Sequence, residues 1–197
     1  MEEQLEDEDD EDTYTLSKLG DLIHALFSTH KEAFLPVFDQ LLPHLSKLLE
    51  PNHPWTDHQW GLCVFDDLIE YGGPNSLNYQ QHFVNQVYTE NRKNFHTMSA
   101  VCLQKSFLFQ MLHYISDPQP EVRQAAAYGC GVMGKNGGPG YASICAQAIP
   151  KLVAMIQAPG SREPETINPT ENAISAVTKI LKWNSGSINN DELIPIW

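Results

Sequence analysis

Apolar residues recur every three or four positions along most of the chain, the spacing of one buried face of an α-helix. One such stripe runs over 14–27 and a second over 35–49. A third stripe, in 56–72, contains Leu62, Phe65 and Ile69. Runs that alternate apolar and polar residues beside a hairpin turn, which would indicate strands, are not found. The pattern therefore predicts an all-α fold.

Start and stop signals divide this pattern into helices. Thr29 with Glu32 and Thr56 with Gln59 have the spacing of a capping box, and Asn168-Pro169 is a typical helix start. Gly-Gly-Pro at 72–74 is a typical stop, since glycine allows a left-handed cap and proline cannot continue a helix. We expect helices at about 12–28, 30–50, 56–72, 76–115 (interrupted), 119–136, 140–158 and 169–184.

Two short motifs recur along the chain and indicate a repeat. Gln-x-apolar-Pro-x-Leu occurs at 40–45 and 147–152, and a third copy begins at 193–195. Pro150 and Pro195 are 45 residues apart, which fits a two-helix HEAT unit of about 40–47 residues. The Gly-Gly-Pro stop recurs at 137–139, but 65 residues after the first copy. That spacing is one period plus more than twenty residues.

The excess length falls on residues 87–110, which lack the helical stripe of their surroundings. Without these 24 residues the stop-to-stop spacing becomes 41 and the period is regular. We therefore interpret 87–110 as an inserted segment that bulges from the helix pair or extends its first helix. A retained in-frame intron is one origin, since Val87 is encoded by GT-initial codons and Gln110 can be CAG. A genuine insertion is the alternative.

Charge is distributed unevenly, with 25 acidic against 12 basic residues and nine of the acids within 2–12. We expect 1–11 to be a disordered acidic arm, because such a run repels itself, and 12–197 to be the folded part. The charge argues against nucleic acid as a partner, since phosphate binding needs a basic patch. Neither a membrane-length apolar run nor a CxxC pair among the four cysteines occurs, so we expect no membrane span and reduced thiols.

Catalytic and metal-binding motifs are not found. The eight histidines form no HExxH motif, and Gly137-Gly138-Pro139 follows a helix and lacks the lysine of a phosphate loop. We therefore assign no catalytic residue, metal ligand or cofactor and expect a protein that is not an enzyme. A metal-dependent hydrolase that uses His53, Asp57 and His58 is the enzymatic alternative.

A turn followed by an alanine-rich helix, DPQPEVRQAAA at 117–127, is typical of a HEAT repeat. Asp117 can cap this turn, and Arg123 is placed to bridge the turns of neighbouring units. The blocks HQWGLCVFDDLIEYGGP at 58–74, PEVRQAAAYGCGVM at 120–133 and NPTENAISAVTKILK at 168–182 resemble the importin-beta superfamily of karyopherins. The resemblance covers about 12–86 and 111–197.

That resemblance implies an armadillo-like HEAT-repeat α-solenoid of about three units plus partial ends, taken from the later repeats of a longer receptor. It implies a nuclear import function with basic protein cargo, the Ran GTPase and nucleoporin repeats as partners. It also implies a location in cytoplasm and nucleus, with shuttling through the nuclear pore. A HEAT scaffold subunit of a complex unrelated to transport is the alternative.

In importin-like solenoids the second helix of each unit lines the concave surface, and six residues on these helices are candidates for partner binding. The acids can face basic cargo or form an ordinary solvated face, and the tryptophan can stack on cargo or pack in the core. The candidates are Trp60, Asp66, Asp67, Glu70, Glu171 and Asn172.

Overall fold

A computed structural model describes residues 2–79 and 107–184. Seven α-helices lie in these two ranges, together with four short 3-10 turns and no strand. This confirms the prediction of an all-α fold. The helices are α1 Glu2–His30, α2 Leu35–Leu45, α3 Trp55–Gly72, α4 Phe107–Tyr114, α5 Pro120–Asn136, α6 Ala142–Gln157 and α7 Ile167–Trp183. The 3-10 turns are Lys31–Phe34, Ser46–Leu49, Gly73–Tyr79 and Pro139–Tyr141.

The helices form two rows. In the second-helix row, α1 packs on α3, α3 on α5, and α5 on α7. The other helices form the first-helix row, in which α4 contacts both the Ser46–Leu49 turn and α6. Each first helix also packs on the second helix that follows it in the chain. The arrangement is a HEAT-type α-solenoid of three helix pairs, preceded by α1.

Aromatic side chains anchor the core at the start of the solenoid. Phe27 of α1 lies with its ring centroid 4.8 Å from that of Phe34 and 5.1 Å from that of Phe38. Phe38 in turn lies 6.5 Å from Phe65 of α3. Full burial of one phenylalanine side chain contributes about 1.5–3 kcal/mol, and all four of these are buried. The apolar stripe predicted in α3 is fully buried here.

The two Gly-Gly-Pro motifs end successive second helices and lie against each other. Gly73, the C-cap of α3, has φ +51°, and Gly138 has φ +76°, so both adopt the left-handed backbone that glycine tolerates. A side chain at position 138 would lie 3.3 Å from the ring of Pro74. Ser76 and the buried Tyr141 share a hydrogen bond of 2.6 Å between their hydroxyls. We call 73–79 with 137–141 the turn pair.

The two proline motifs also take equivalent places. Pro43 lies inside α2 and Pro150 inside α6, and both prolines are exposed. The apolar residues before and after each proline are buried, at 42 and 45 in α2 and at 149 and 152 in α6. The recurrence in sequence is therefore a recurrence in structure. The third copy, at 193–195, lies outside the described residues.

The predicted capping boxes are wrong. Helix α1 continues to His30, and the next turn begins at Lys31 without a side-chain cap. Helix α3 begins at Trp55, one residue before Thr56, because Pro54 holds an extended backbone ahead of it. Asn168 lies inside α7, whose N-cap residue is Thr166, without a side-chain cap bond.

The expected disordered arm also needs correction, because α1 begins at Glu2. A helix that tertiary packing has already nucleated extends at little further cost per residue. Negative charge near the N-terminal end of a helix is in addition favourable to the helix dipole. These two effects oppose the self-repulsion of residues 2–11.

The turn before α5 follows the sequence prediction in one respect and not in another. Asp117 Oδ1 accepts a hydrogen bond from the backbone N–H of Gln119 at 2.8 Å, so Asp117 caps the turn as expected. Arg123 donates to the backbone oxygens of Asp117 and Pro118, both at 2.8 Å. These bonds hold the turn of its own unit, where a bridge to a neighbouring unit was predicted.

Only the last four residues of the proposed insertion, 107–110, are described, and they belong to α4. Leu108 is buried, and the side-chain amide of Gln110 donates to the backbone oxygen of Leu49 at 3.0 Å. Tyr114, one turn later, donates to the same oxygen at 3.2 Å. Residues 87–106 lie outside the described residues, so the insertion stays a prediction there.

Candidate partner-binding face

Three acids on α3 form the centre of the candidate surface. Successive helical residues are rotated by about 100°, so Asp66 and Asp67 point in different directions. Leu62, Phe65 and Ile69 are fully buried, which fixes the orientation of the helix. The acids then lie along its contacts with α1 on one side and α5 on the other.

Asp66 is buried between α3 and α5, where an exposed acid was expected. Its side chain is 2% exposed, and among residues 2–79 and 107–184 neither carboxylate oxygen has a hydrogen-bond partner. A Cβ built on Gly129 of α5 would lie 2.1 Å from Oδ1, so the carboxyl group occupies the space that this glycine leaves. Burial, and next the neighbouring charges of Asp67 and Glu70, raise the pKa of Asp66 well above its usual value. Asp66 cannot reach a partner from this position.

Asp67 lies at the contact of α3 with α1. Its Oδ1 is 2.8 Å from Nδ1 of His24, whose side chain is exposed. Burial raises the pKa of the Asp67 carboxyl, and the hydrogen bond from His24 partly offsets that rise. The pair joins two neighbouring helices, and the Asp67 side chain is 14% exposed.

Glu70 lies at the contact of α3 with α5. Its carboxylate accepts a hydrogen bond of 2.9 Å from the hydroxyl of Tyr128, and its backbone oxygen accepts one of 3.2 Å from the Asn136 side chain. The exposed ring of Tyr128 also contacts Lys179 of α7, whose ammonium lies 5.2 Å from the ring centroid. One tyrosine therefore links three consecutive second helices.

Trp60 packs between helices. The residue is half-buried, and its ring lies so close to α1 that a Cβ added to Gly20 would be 3.1 Å from it. This position favours the packing interpretation of Trp60 over stacking on cargo.

The two candidates on α7 differ from each other. Glu171 is exposed. Asn172 donates a hydrogen bond of 3.2 Å from its side chain to the backbone oxygen of Gln124, so it holds α7 against α5. Of the six predicted residues, Glu171 is the exposed acid, and Asp67 and Glu70 are partly buried.

Sequence reasoning missed His24, Tyr128 and Lys179. Each is joined to a residue far along the chain, so no local spacing signals the contact. The exposed aromatic side chain of Tyr128 among small residues, in AAAYGCG at 125–131, is the one feature that could have drawn notice.

The histidines of the hydrolase alternative have structural partners. His53 Nδ1 lies 2.8 Å from Asp57 Oδ2, and His58 Nε2 lies 3.0 Å from the backbone oxygen of Glu50. The ring of the buried His58 also lies 4.8 Å from that of Tyr114. Among residues 2–79 and 107–184, no group of three or more His, Cys, Asp and Glu side chains could hold a metal ion. In the same ranges, no helix is long and apolar enough to cross a membrane.

Known proteins with similar sequences agree with this architecture. The family model for Importin repeat 6 matches residues 1–51. Importin subunit beta-3 of Saccharomyces cerevisiae is 30% identical over 193 residues, which is 98% of this chain. The chain is similar to this karyopherin over almost its whole length. It spans 15% of the length of that curated karyopherin.

Solved karyopherin structures share the fold. A crystal structure of a Kap121p mutant matches 93% of this chain with a TM-score of 0.71 and 24% identity, and covers 15% of Kap121p. Kap121p bound to the SUMO protease Ulp1p matches 89% of this chain, or 14% of its own, with a TM-score of 0.67 and 24% identity. Kap121p bound to RanGTP matches 98% of this chain and 16% of its own, with a TM-score of 0.68 and 22% identity. The two-row helical arrangement is thus that of a karyopherin solenoid.

Proposed function

We propose that this chain is part of a nuclear transport receptor, without enzymatic activity, that binds basic protein cargo for Ran-dependent import. The observation that carries the proposal is the placement of Asp67 and Glu70 along one row of packed second helices. Kap121p, whose fold it shares, has been crystallised with RanGTP and with the protease Ulp1p. As a part of such a receptor, this chain shuttles between cytoplasm and nucleus and passes the nucleoporin repeats of the pore.

Binding on this row rests on several weak contacts. A single exposed ion pair contributes about 0.2–1 kcal/mol, so one carboxylate gives little affinity. Several carboxylates in a row that meet successive Lys and Arg side chains add their contributions. The affinity then falls with salt, because exposed charges are screened within about 8–10 Å at physiological ionic strength.

A charge-neutralising pair of variants tests this proposal. Asp67→Asn with Glu70→Gln keeps side-chain size and removes two negative charges from the row. Glu163→Gln with Glu165→Gln removes the same charge from the exposed loop between α6 and α7. We expect the first pair to weaken binding of a Lys- and Arg-rich import-signal peptide about three- to tenfold relative to the second. Fluorescence anisotropy at low and physiological salt measures both.

Equal affinities of the two pairs would contradict the acidic row as the binding surface. A pull-down with purified Ran in its GTP and GDP states tests the transport assignment separately. If the chain binds neither Ran-GTP nor the basic peptide, the alternative of a HEAT scaffold in another complex is favoured.

A further inference from the structure

Tyr128 lies where three second helices meet, and the ammonium group of Lys179 lies over its ring. Its hydroxyl donates to Glu70 of α3 at 2.9 Å, and the ammonium of Lys179 from α7 lies 5.2 Å from its ring centroid. The tyrosine is still 40% exposed. The ring therefore already holds an ammonium group, and part of the residue is open to solvent.

A glycine of α5 leaves space for the side chain of Lys179 beside this ring. A Cβ added to Gly131 would lie 3.1 Å from Cδ of Lys179 and 3.2 Å from Cα of Ala176. Gly131 thus leaves the space in which the aliphatic part of Lys179 lies. Because Gly131 follows Tyr128 by three residues, the two share a face of α5, and the lysine reaches the ring across the glycine.

The surroundings of the ring favour a cation. Burial and the hydrogen bond to Glu70, followed by the charges of Glu70, Asp66 and Asp67, raise the pKa of the Tyr128 hydroxyl above its usual value. The phenol therefore stays neutral and keeps its bond to Glu70. The negative face of an aromatic ring attracts an ammonium group, and a nearby carboxylate adds to that attraction.

We propose that the face of Tyr128 is a lysine-binding subsite, occupied by Lys179 in the free protein and opened when a lysine of a basic partner displaces it. The proposal rests on the proposed function and names one place where the partner is recognised. Lys179 is then an internal competitor. Because the partner must displace it, Lys179 lowers the affinity of the subsite by the free energy of its own contact with the ring. Its side chain moves into solvent when the partner binds.

Two matched variants of α7 test this competition, with hexalysine as the probe. Lys179→Gln frees the ring of Tyr128. Lys182→Gln removes the same charge from the same helix, but Lys182 lies over Trp183, with 4.4 Å between its ammonium and the ring centroid. We expect the first variant to bind hexalysine about two- to fivefold more tightly than the second, the value of one exposed cation–π contact. Equal affinities in isothermal titration at low salt overturn the proposal.

Variants of the ring provide the second test. In a Tyr128→Phe background the gain from Lys179→Gln should persist, because the ring remains. In a Tyr128→Leu background the gain should vanish, and a gain that persists there overturns the proposal. Circular dichroism checks that each variant keeps its helices.

A spectroscopic readout reports on Lys179 directly. In protein labelled with 13C-lysine, the ring current of Tyr128 should shift the ε-methylene signal of Lys179 upfield. Saturating hexalysine should return this signal to the position of a free lysine, and an unmoved signal overturns the proposal. Binding that depends on Asp67 and Glu70 but not on Lys179 rejects the subsite alone. No binding to any variant rejects the proposed function as well.

Discussion

The side-chain amide of Asn184 donates a hydrogen bond of 2.8 Å to the backbone oxygen of Gly134. Asn136 makes the corresponding bond one helix earlier, at 3.2 Å to the backbone oxygen of Glu70. Gly134 and Glu70 each lie two residues before the end of their helix. Since the last carbonyls of a helix have no intrahelical partner, these asparagines satisfy them and join neighbouring second helices at equivalent points.

Replacing the buried asparagine of this pair should destabilise the fold. We expect Asn184→Ala to lower the free energy of unfolding by about 1–2 kcal/mol, because the Gly134 oxygen loses its side-chain partner in a buried place. Asn168→Ala, at an exposed position of α7, whose C-cap is Asn184, is the matched control and should change the free energy of unfolding by less than about 0.5 kcal/mol. Urea denaturation followed by circular dichroism measures both, and equal losses would contradict the role of Asn184.

Asp66 should make stability decrease as the pH rises. Its folded-state pKa is raised, so the folded chain holds a proton that the unfolded chain has lost above about pH 4. Stability therefore falls from about pH 4 up to the raised pKa, with a slope of at most about 1.4 kcal/mol per pH unit. Asp66→Asn should flatten this decline in stability. Asp21→Asn, on the exposed part of α1, should leave the decline unchanged. Melting temperatures between pH 5 and 8 test this, and parallel profiles of wild type and Asp66→Asn would refute it.

Gly129→Ala should be costly because its methyl group would overlap the Asp66 carboxyl group, 2.1 Å away. Overpacking of this kind costs about 1–3 kcal/mol. The same substitution should cost less in an Asp66→Ala background, where the overlap is gone. Gly72→Ala is the control, since its nearest neighbour would lie at an ordinary 3.6 Å. A double-mutant cycle from urea denaturation gives the coupling, and strictly additive losses would contradict the contact.

The described cysteines should react slowly with alkylating reagents. Burial raises the pKa of Cys63 and of Cys145 to about 12, and that of the fully buried Cys130 well above its usual value. The reactive thiolate is therefore scarce at pH 8. In a Cys102→Ser variant, which leaves these three thiols, iodoacetamide should label the native protein far more slowly than the protein in urea. Rapid labelling of the native variant would argue against this burial.

The sequence predicted where most helices lie, because the apolar stripe depends on local spacing, but it misplaced several helix starts. The buried stripe of α3 and the glycine stop at Gly73 are examples. The environment of Asp66 could not be predicted in this way, since Asp66 and Asp67 are chemically identical neighbours. One lies against α5 only because Gly129, far along the chain, leaves space for it. The partners of Tyr128 and Asn184 escaped prediction for the same reason, as they follow from the packing of successive units.

The turn pair has a consequence for how much change this solenoid tolerates. Contacts between 73–79 and 137–141 join the ends of α3 and α5 directly. These contacts use no residue between Tyr79 and Phe107. If 87–110 is an insertion, as the sequence predicts, its gain by splicing or in evolution leaves these contacts in place.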